Sequence, residues 1–140
     1  MKVLGKMTWA LGLAAACTGA HAADAVILNG SGERVALMPR FDHQPETKIK
    51  RTGSNGQIET GQLQSQTRID LGSGDCLVLE ADSKRQFTLE IYLGARRTGQ
   101  YLTCTCDGTA WTFAPQGFGP GQSLKVDNPG QANLVILGKR

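Results

Sequence analysis

Histidine is almost missing from this chain. Among 140 residues there are two, His21 and His43. A catalytic imidazole would have to be one of them, and no Gly-x-Ser-x-Gly elbow or other nucleophile motif accompanies either. Carboxylate pairs of the kind that cleave glycosides reduce to Glu80 and Glu90, which read as solvated sheet surface. The single Cys-x-Cys, Cys104 and Cys106, has no second matching pair, so the spacing of a zinc site is missing. A soft-ion site built from Cys76, Cys104 and Cys106 with His43 or Met38 has only composition in its favour. Phosphate loops, dinucleotide fingerprints and calcium loops do not occur. The expectation is no catalytic residue, no metal and no cofactor.

Two further absences bound the class. No apolar run is long enough to cross a bilayer as a helix. No window keeps the i, i+3, i+4 apolar spacing of an amphipathic helix between caps.

What is present begins at the N-terminus. Lys2 and Lys6 precede the short apolar run Met7–Cys17, and Ala20-His21-Ala22 offers small residues around a variable one. This is the pattern of a secretory leader, residues 1–22, cleaved after Ala22. It leaves one domain, residues 23–140, expected in the periplasm or outside the cell, where disulfides are permitted. The alternative is lipidation at Cys17, and only then would the protein be membrane-attached. The preceding Ala14-Ala15-Ala16 has Leu13 one place too early for that signal. Loss of Lys2 and Lys6 from 15 basic residues leaves 13 against 12 acidic ones. A near-neutral domain argues against a nucleic-acid partner held by charge.

The rest reads as short β-rich runs cut by Gly, Asn, Asp and Pro. The runs are Ala25–Leu28, Arg34–Met38, Thr47–Arg51, Gln57–Thr60, Thr67–Leu71, Cys76–Ala81, Gln86–Leu93, Gln100–Cys106, Ala110–Ala114, Ser123–Asp127 and Asn133–Leu137. Regular short strands predict an all-β, single-domain antiparallel sandwich, with a small barrel as the alternative. Pro39–Glu46, which holds His43, and Pro115–Gln122 read as irregular loops. Cys76 to Cys106 reads as a three-stranded meander. With Gly94–Gly99 as a hairpin loop, Tyr92 faces Tyr101, Leu89 faces Cys104 and Phe87 faces Cys106.

Two features of that meander carry chemistry. Cys76 with Cys104 is the favoured disulfide, although the register sets them on opposite faces unless the strand bends at Cys76 or belongs to a second sheet. The third thiol reads as buried and inert. Tyr92 and Tyr101, flanked by Arg96 and Arg97 and joined by Trp111, form a candidate binding patch for a protein partner or a sugar ring. The expected function is an exported, non-catalytic binding protein that recognises another protein, of the inhibitor, immunity or envelope-accessory type. The alternative is a carbohydrate-binding module using an exposed Tyr/Trp patch.

Overall fold

A computed structural model describes residues 24–41, 47–81, 83–119, 123–126 and 133–138. The expected leader, its Cys17 and His43 lie outside these residues. The described residues form eleven strands and no helix: β1 (Ala25–Asn29), β2 (Val35–Arg40), β3 (Lys48–Thr52), β4 (Ile58–Gln62), β5 (Ile69–Leu71), β6 (Cys76–Leu79), β7 (Lys84–Leu93), β8 (Arg96–Asp107), β9 (Trp111–Gln116), β10 (Ser123–Val126) and β11 (Asn133–Leu137). Each expected run has its strand, with ends moved by a few residues. β9 continues through Pro115 and Gln116, which the sequence assigned to a loop. An edge strand tolerates a proline because its N–H side need not pair.

The strands make two sheets. One has the order β10-β11-β1-β6-β3-β4, the other β5-β2-β7-β8-β9. All neighbours are antiparallel except β1 and β11, which run parallel with Ala25 level with Asn133. The sheets pack face to face as a sandwich, and neither closes, so the barrel alternative does not hold.

Alternation along the strands supplies the core. From the six-stranded sheet come Ala25, Ile27, Leu77, Leu79, Val135 and Leu137; from the other, Leu37, Phe87, Leu89, Leu102, Cys104 and Trp111, with further apolar neighbours. Each large aliphatic or aromatic side chain buried here contributes roughly 1.5–3 kcal/mol. Trp111 is fully buried and meets Phe87 edge-on, with ring centroids 5.6 Å apart. One end of the sandwich is joined by Asn29, which is buried. Its amide donates to the carbonyls of Glu33, Leu71 and Gly72 at 2.7–3.0 Å, and so ties β1 to β5 of the opposite sheet.

The structure corrects the meander in two ways. β6 does not pair with β7; it lies between β1 and β3 in the other sheet. Cys76-Leu77-Val78-Leu79 is apolar at every position and buried throughout. A central strand with both faces covered suits such a run, whereas a strand with one solvated face would expose Cys76 and Val78. The meander is instead β7-β8-β9.

The second correction concerns the β7–β8 register. The turn is two residues, Gly94-Ala95, with Leu93 opposite Arg96. Gly94 has φ 60° and Ala95 stays negative, the signature of a type II′ turn whose twist matches the strands. The residues expected in a loop are absorbed in β8 as a bulge, because the register shifts between Glu90 and Tyr92. Phe87 therefore faces Cys104, Leu89 faces Leu102, and Tyr92 faces Arg97 rather than Tyr101. Thr98 stitches the bulge: its hydroxyl donates to the Ile91 carbonyl at 2.7 Å and accepts from the Gln100 N–H at 3.1 Å.

Gly117 closes on this bulge. It has φ 76°, and a Cβ there would sit 2.1 Å from the Gly99 carbonyl oxygen. Gly117→Ala is expected to destabilise the domain by at least about 1–3 kcal/mol, the usual cost of one strained backbone position. Urea unfolding measures this, and an unchanged midpoint would contradict the close approach.

The β8–β9 turn is held by Asp107. Its Oδ1 accepts from the Thr109 hydroxyl at 2.7 Å, the Thr109 N–H at 2.8 Å and the Ala110 N–H at 2.9 Å. These bonds, the Thr109 side chain first, lower the Asp107 carboxyl to about 2. A depressed folded value adds stability above the unfolded value near 4, and that stability is lost as pH falls through about 2. Asp107→Ala should therefore lower Tm at pH 5–7, and the gap from the parent should narrow between about pH 4 and 2.

Candidate functional site

The outward face of the five-stranded sheet carries the one clustered set of charged and aromatic side chains in which a carboxylate is buried, among the described residues. Three rows of register build it. Asp70, Ala36, Tyr92 and Arg97 lie level across β5, β2, β7 and β8. Met38, Glu90 and Tyr101 form the next row, and Arg40, Thr88 and Thr103 the one after. β7 alternates strictly, so Phe87, Leu89 and Ile91 enter the core while Thr88, Glu90 and Tyr92 point away from it.

Glu90 is 1% exposed. The sequence reading of Glu90 as solvated surface is thereby overturned. Arg40 explains how a carboxylate survives there: its Nε lies 2.9 Å and its terminal nitrogen 2.7 Å from Glu90 Oε1. The other oxygen, Oε2, is buried without a hydrogen bond and lies 3.6 Å from Arg97 Nε.

Tyr92 is the second centre. Its hydroxyl accepts from Arg97 Nε at 3.1 Å and from Arg40 at 3.2 Å. Arg68 lies over its ring, 5.5 Å from the centroid, and 3.6 Å from Asp70. Ala36, the β2 neighbour of Tyr92, presents only a methyl group to this face. Hydrogen bonding to Glu90 pushes the Arg40 guanidinium above its ordinary value, and bonding to Tyr92 does the same for Arg97. Both are therefore cations at neutral pH. Arg97 is largely exposed, so its terminal nitrogens face solvent with donors to offer.

The sequence-predicted residues separate. Tyr92 and Arg97 meet as direct partners, and Tyr101 sits beside them opposite Glu90, half-buried. Arg96 is exposed at the hairpin tip opposite Leu93 and outside the network. Trp111 is in the core and leaves the patch altogether. Sequence reasoning missed Arg40, Arg68 and the burial of Glu90. The available signal was Glu90 at an outward position between two apolar neighbours in β7. Nothing local marked Arg40, 50 residues from Glu90 in β2, or Arg68, just before β5.

The cysteines give a further correction. Cys104 and Cys106 are both free and both buried, so the expected Cys76–Cys104 disulfide is not formed. Cys76 belongs to the other sheet, on its outer side, while Cys104 and Cys106 face the core of theirs. The structure does not gather the three into a ligand set. Burial pushes the Cys104 thiol far up, which leaves essentially no thiolate at neutral pH. Both thiols should resist Ellman's reagent in the native protein and react together on unfolding. Rapid native labelling of either would contradict their burial.

A polar cleft of about 210 Å³ lies at the β3–β4 turn. Its carboxylates are already engaged. Asp75 accepts from the Ser54 and Gly72 N–H groups at 3.0 and 2.8 Å, and Glu59 pairs with Arg51 at 2.7 Å. This cleft fastens two turns rather than presenting reactive groups.

The fold and face define a two-sheet β-sandwich with a cationic–aromatic surface. No protein-family model matches the chain, and comparison with curated proteins and with solved structures finds no significant similarity.

Proposed function

We propose that the protein is an exported, non-catalytic binding protein whose Arg40–Arg68–Tyr92–Arg97 face recognises an acidic surface on another protein, in the periplasm or outside the cell. The observation that carries the reading is the buried Glu90. It fixes Arg40, Arg40 and Arg97 share the Tyr92 hydroxyl, and Arg68 covers the ring. Guanidiniums held this way lose little freedom on binding, and their planar donors suit carboxylates. Asp70 and Glu90 offset two of the charges, so the face is moderately cationic rather than a polyanion track.

The same observations favour a protein over a glycan. With Trp111 in the core and Tyr92 under Arg68, Tyr101 is the remaining ring that a sugar could stack on, and it is half-buried.

The test is affinity capture from the native envelope with immobilised protein, the parent beside an Arg68→Glu/Arg97→Glu double variant. Both side chains are substantially exposed, so the variant should fold. The expected outcome is a stoichiometric protein partner whose retention falls at least tenfold in the variant and weakens with salt. A partner retained equally by both forms, or binding confined to glycans and lost in Tyr101→Ala, would overturn the proposal.

A further inference from the structure

Asparagine is followed by glycine twice in this chain, at Asn29-Gly30 and at Asn55-Gly56. The pair is chemically labile. A glycine leaves its backbone nitrogen uncrowded, so that nitrogen can reach the amide carbon of the preceding side chain. The fold treats the two pairs differently. Asn29 is fully buried. Its Nδ2 donates to the carbonyls of Glu33, Leu71 and Gly72, and its Oδ1 accepts from the Ser31 N–H at 3.1 Å and the Ser31 hydroxyl at 2.6 Å. Turning that amide toward the Gly30 nitrogen would strip three carbonyls of their donor. The related pair Asp107-Gly108 is protected in another way. The Asp107 carboxyl is held ionised by its three hydrogen bonds, and a carboxylate resists attack by a nucleophile.

Asn55 has none of this protection. It is exposed in the turn between β3 and β4. Its side chain makes one hydrogen bond among the described residues: Oδ1 accepts from the Gln57 N–H at 3.1 Å. That bond polarises the amide carbonyl and sits where negative charge gathers when Cγ is attacked. Nδ2, the leaving nitrogen, donates to no group among the described residues and faces solvent. The attacking nitrogen, that of Gly56, donates to the Gly53 carbonyl at 2.9 Å. This is a bond of an exposed turn, and such bonds open locally at low cost. Apart from its chain neighbours, no atom lies within 4 Å of where a Gly56 side chain would begin, so ring closure meets no obstacle. The carboxylates of the neighbouring cleft are engaged; the element left free to react is the turn itself.

We propose that Asn55-Gly56 is a site of spontaneous deamidation in the folded protein, and that the fold shields Asn29-Gly30 from the same reaction. The proposal is independent of the arginine face. The Gly56 nitrogen gives its proton to a solvent base and attacks Asn55 Cγ. The new N–Cγ bond forms, the Cγ–Nδ2 bond breaks, and Nδ2 leaves as ammonia with a proton from water. Water then opens the succinimide at either carbonyl, which leaves aspartate or isoaspartate at position 55. The product carboxylate enters an acidic neighbourhood. A Cβ on Gly53 would sit 2.8 Å from Asn55 Oδ1 and 3.8 Å from Asp75 Oδ1, so the two side chains share one small space. Asp75 Oδ1 accepts from the Ser54 N–H and so fastens this turn. A second negative charge beside it opposes that fastening. Isoaspartate also adds a methylene to the backbone between Gly53 and Gln57, whose N–H and carbonyl are paired at 2.8 Å.

The test incubates the full native chain in neutral and in mildly alkaline buffer, followed by proteolytic peptide mapping with mass spectrometry. The peptide holding Asn55 is expected to convert from amide to acid, faster at the higher pH, with isoaspartate detected by an isoaspartyl methyltransferase. Conversion at Asn29 is expected to be at least about tenfold slower in the native chain, and the two rates should converge in urea, where burial is lost. An Asn55→Gln variant, whose longer side chain disfavours the five-membered ring, should lose the acidic species seen on anion exchange. An Asn55 peptide that stays amidated in the native chain would overturn the proposal. So would conversion of Asn29 at the same native rate, which would show that burial gives no shielding.

Discussion

The face-to-face burial of β1, β6 and β11 against β2, β7 and β8 is the constraint on which the other features hang. It commits every second residue of β7 and β8 to the core: Phe87, Leu89 and Ile91 on one strand, Leu102, Cys104 and Cys106 on the other. The intervening residues of β7 are then forced outward together. Thr88, Glu90 and Tyr92 share one face because the core requires their neighbours, and a slip of one residue would exchange the two sets.

That outward face is shaped by the rule that a buried charge must be met. Glu90 is carried out of water by the flanking strands, and Arg40 of β2 reaches it diagonally from the Thr88 row. The satisfied oxygen anchors Arg40; the unsatisfied one stays 3.6 Å from Arg97, whose Nε bonds Tyr92 instead. The bulge in β8 matters here. By displacing Tyr101 from Tyr92 and bringing Arg97 opposite, it replaces an aromatic pair with a cation–phenol contact. A turn geometry thus changes the chemistry of the face.

The same accounting explains the cysteines. Cys104 and Cys106 are two residues apart on one inward face, so both behave as small core hydrophobes. Cys76 alternates with Leu77 in a strand buried on both sides, and it is the one of the three set toward the outer cluster. Its separation from Cys104 is a consequence of sheet membership, and sheet membership is a long-range property.

By itself, the sequence determined the strand inventory, the all-β class and the faces of β7 and β8. Alternation of apolar residues and the Gly, Asn and Asp turns are local signals that tertiary contacts reinforce. It also carried the continuous apolar runs of β1, β6 and β11, whose meaning as doubly covered strands was available in Cys76–Leu79. Only the tertiary structure decided that β6 leaves the meander, that Trp111 fills the core rather than the surface, and that Glu90 is buried beside Arg40. A strand can hydrogen-bond any compatible edge, so partner choice follows from total burial across both sheets. A carboxylate at an outward position is solvated or buried according to residues dozens of positions away, which no local pattern encodes.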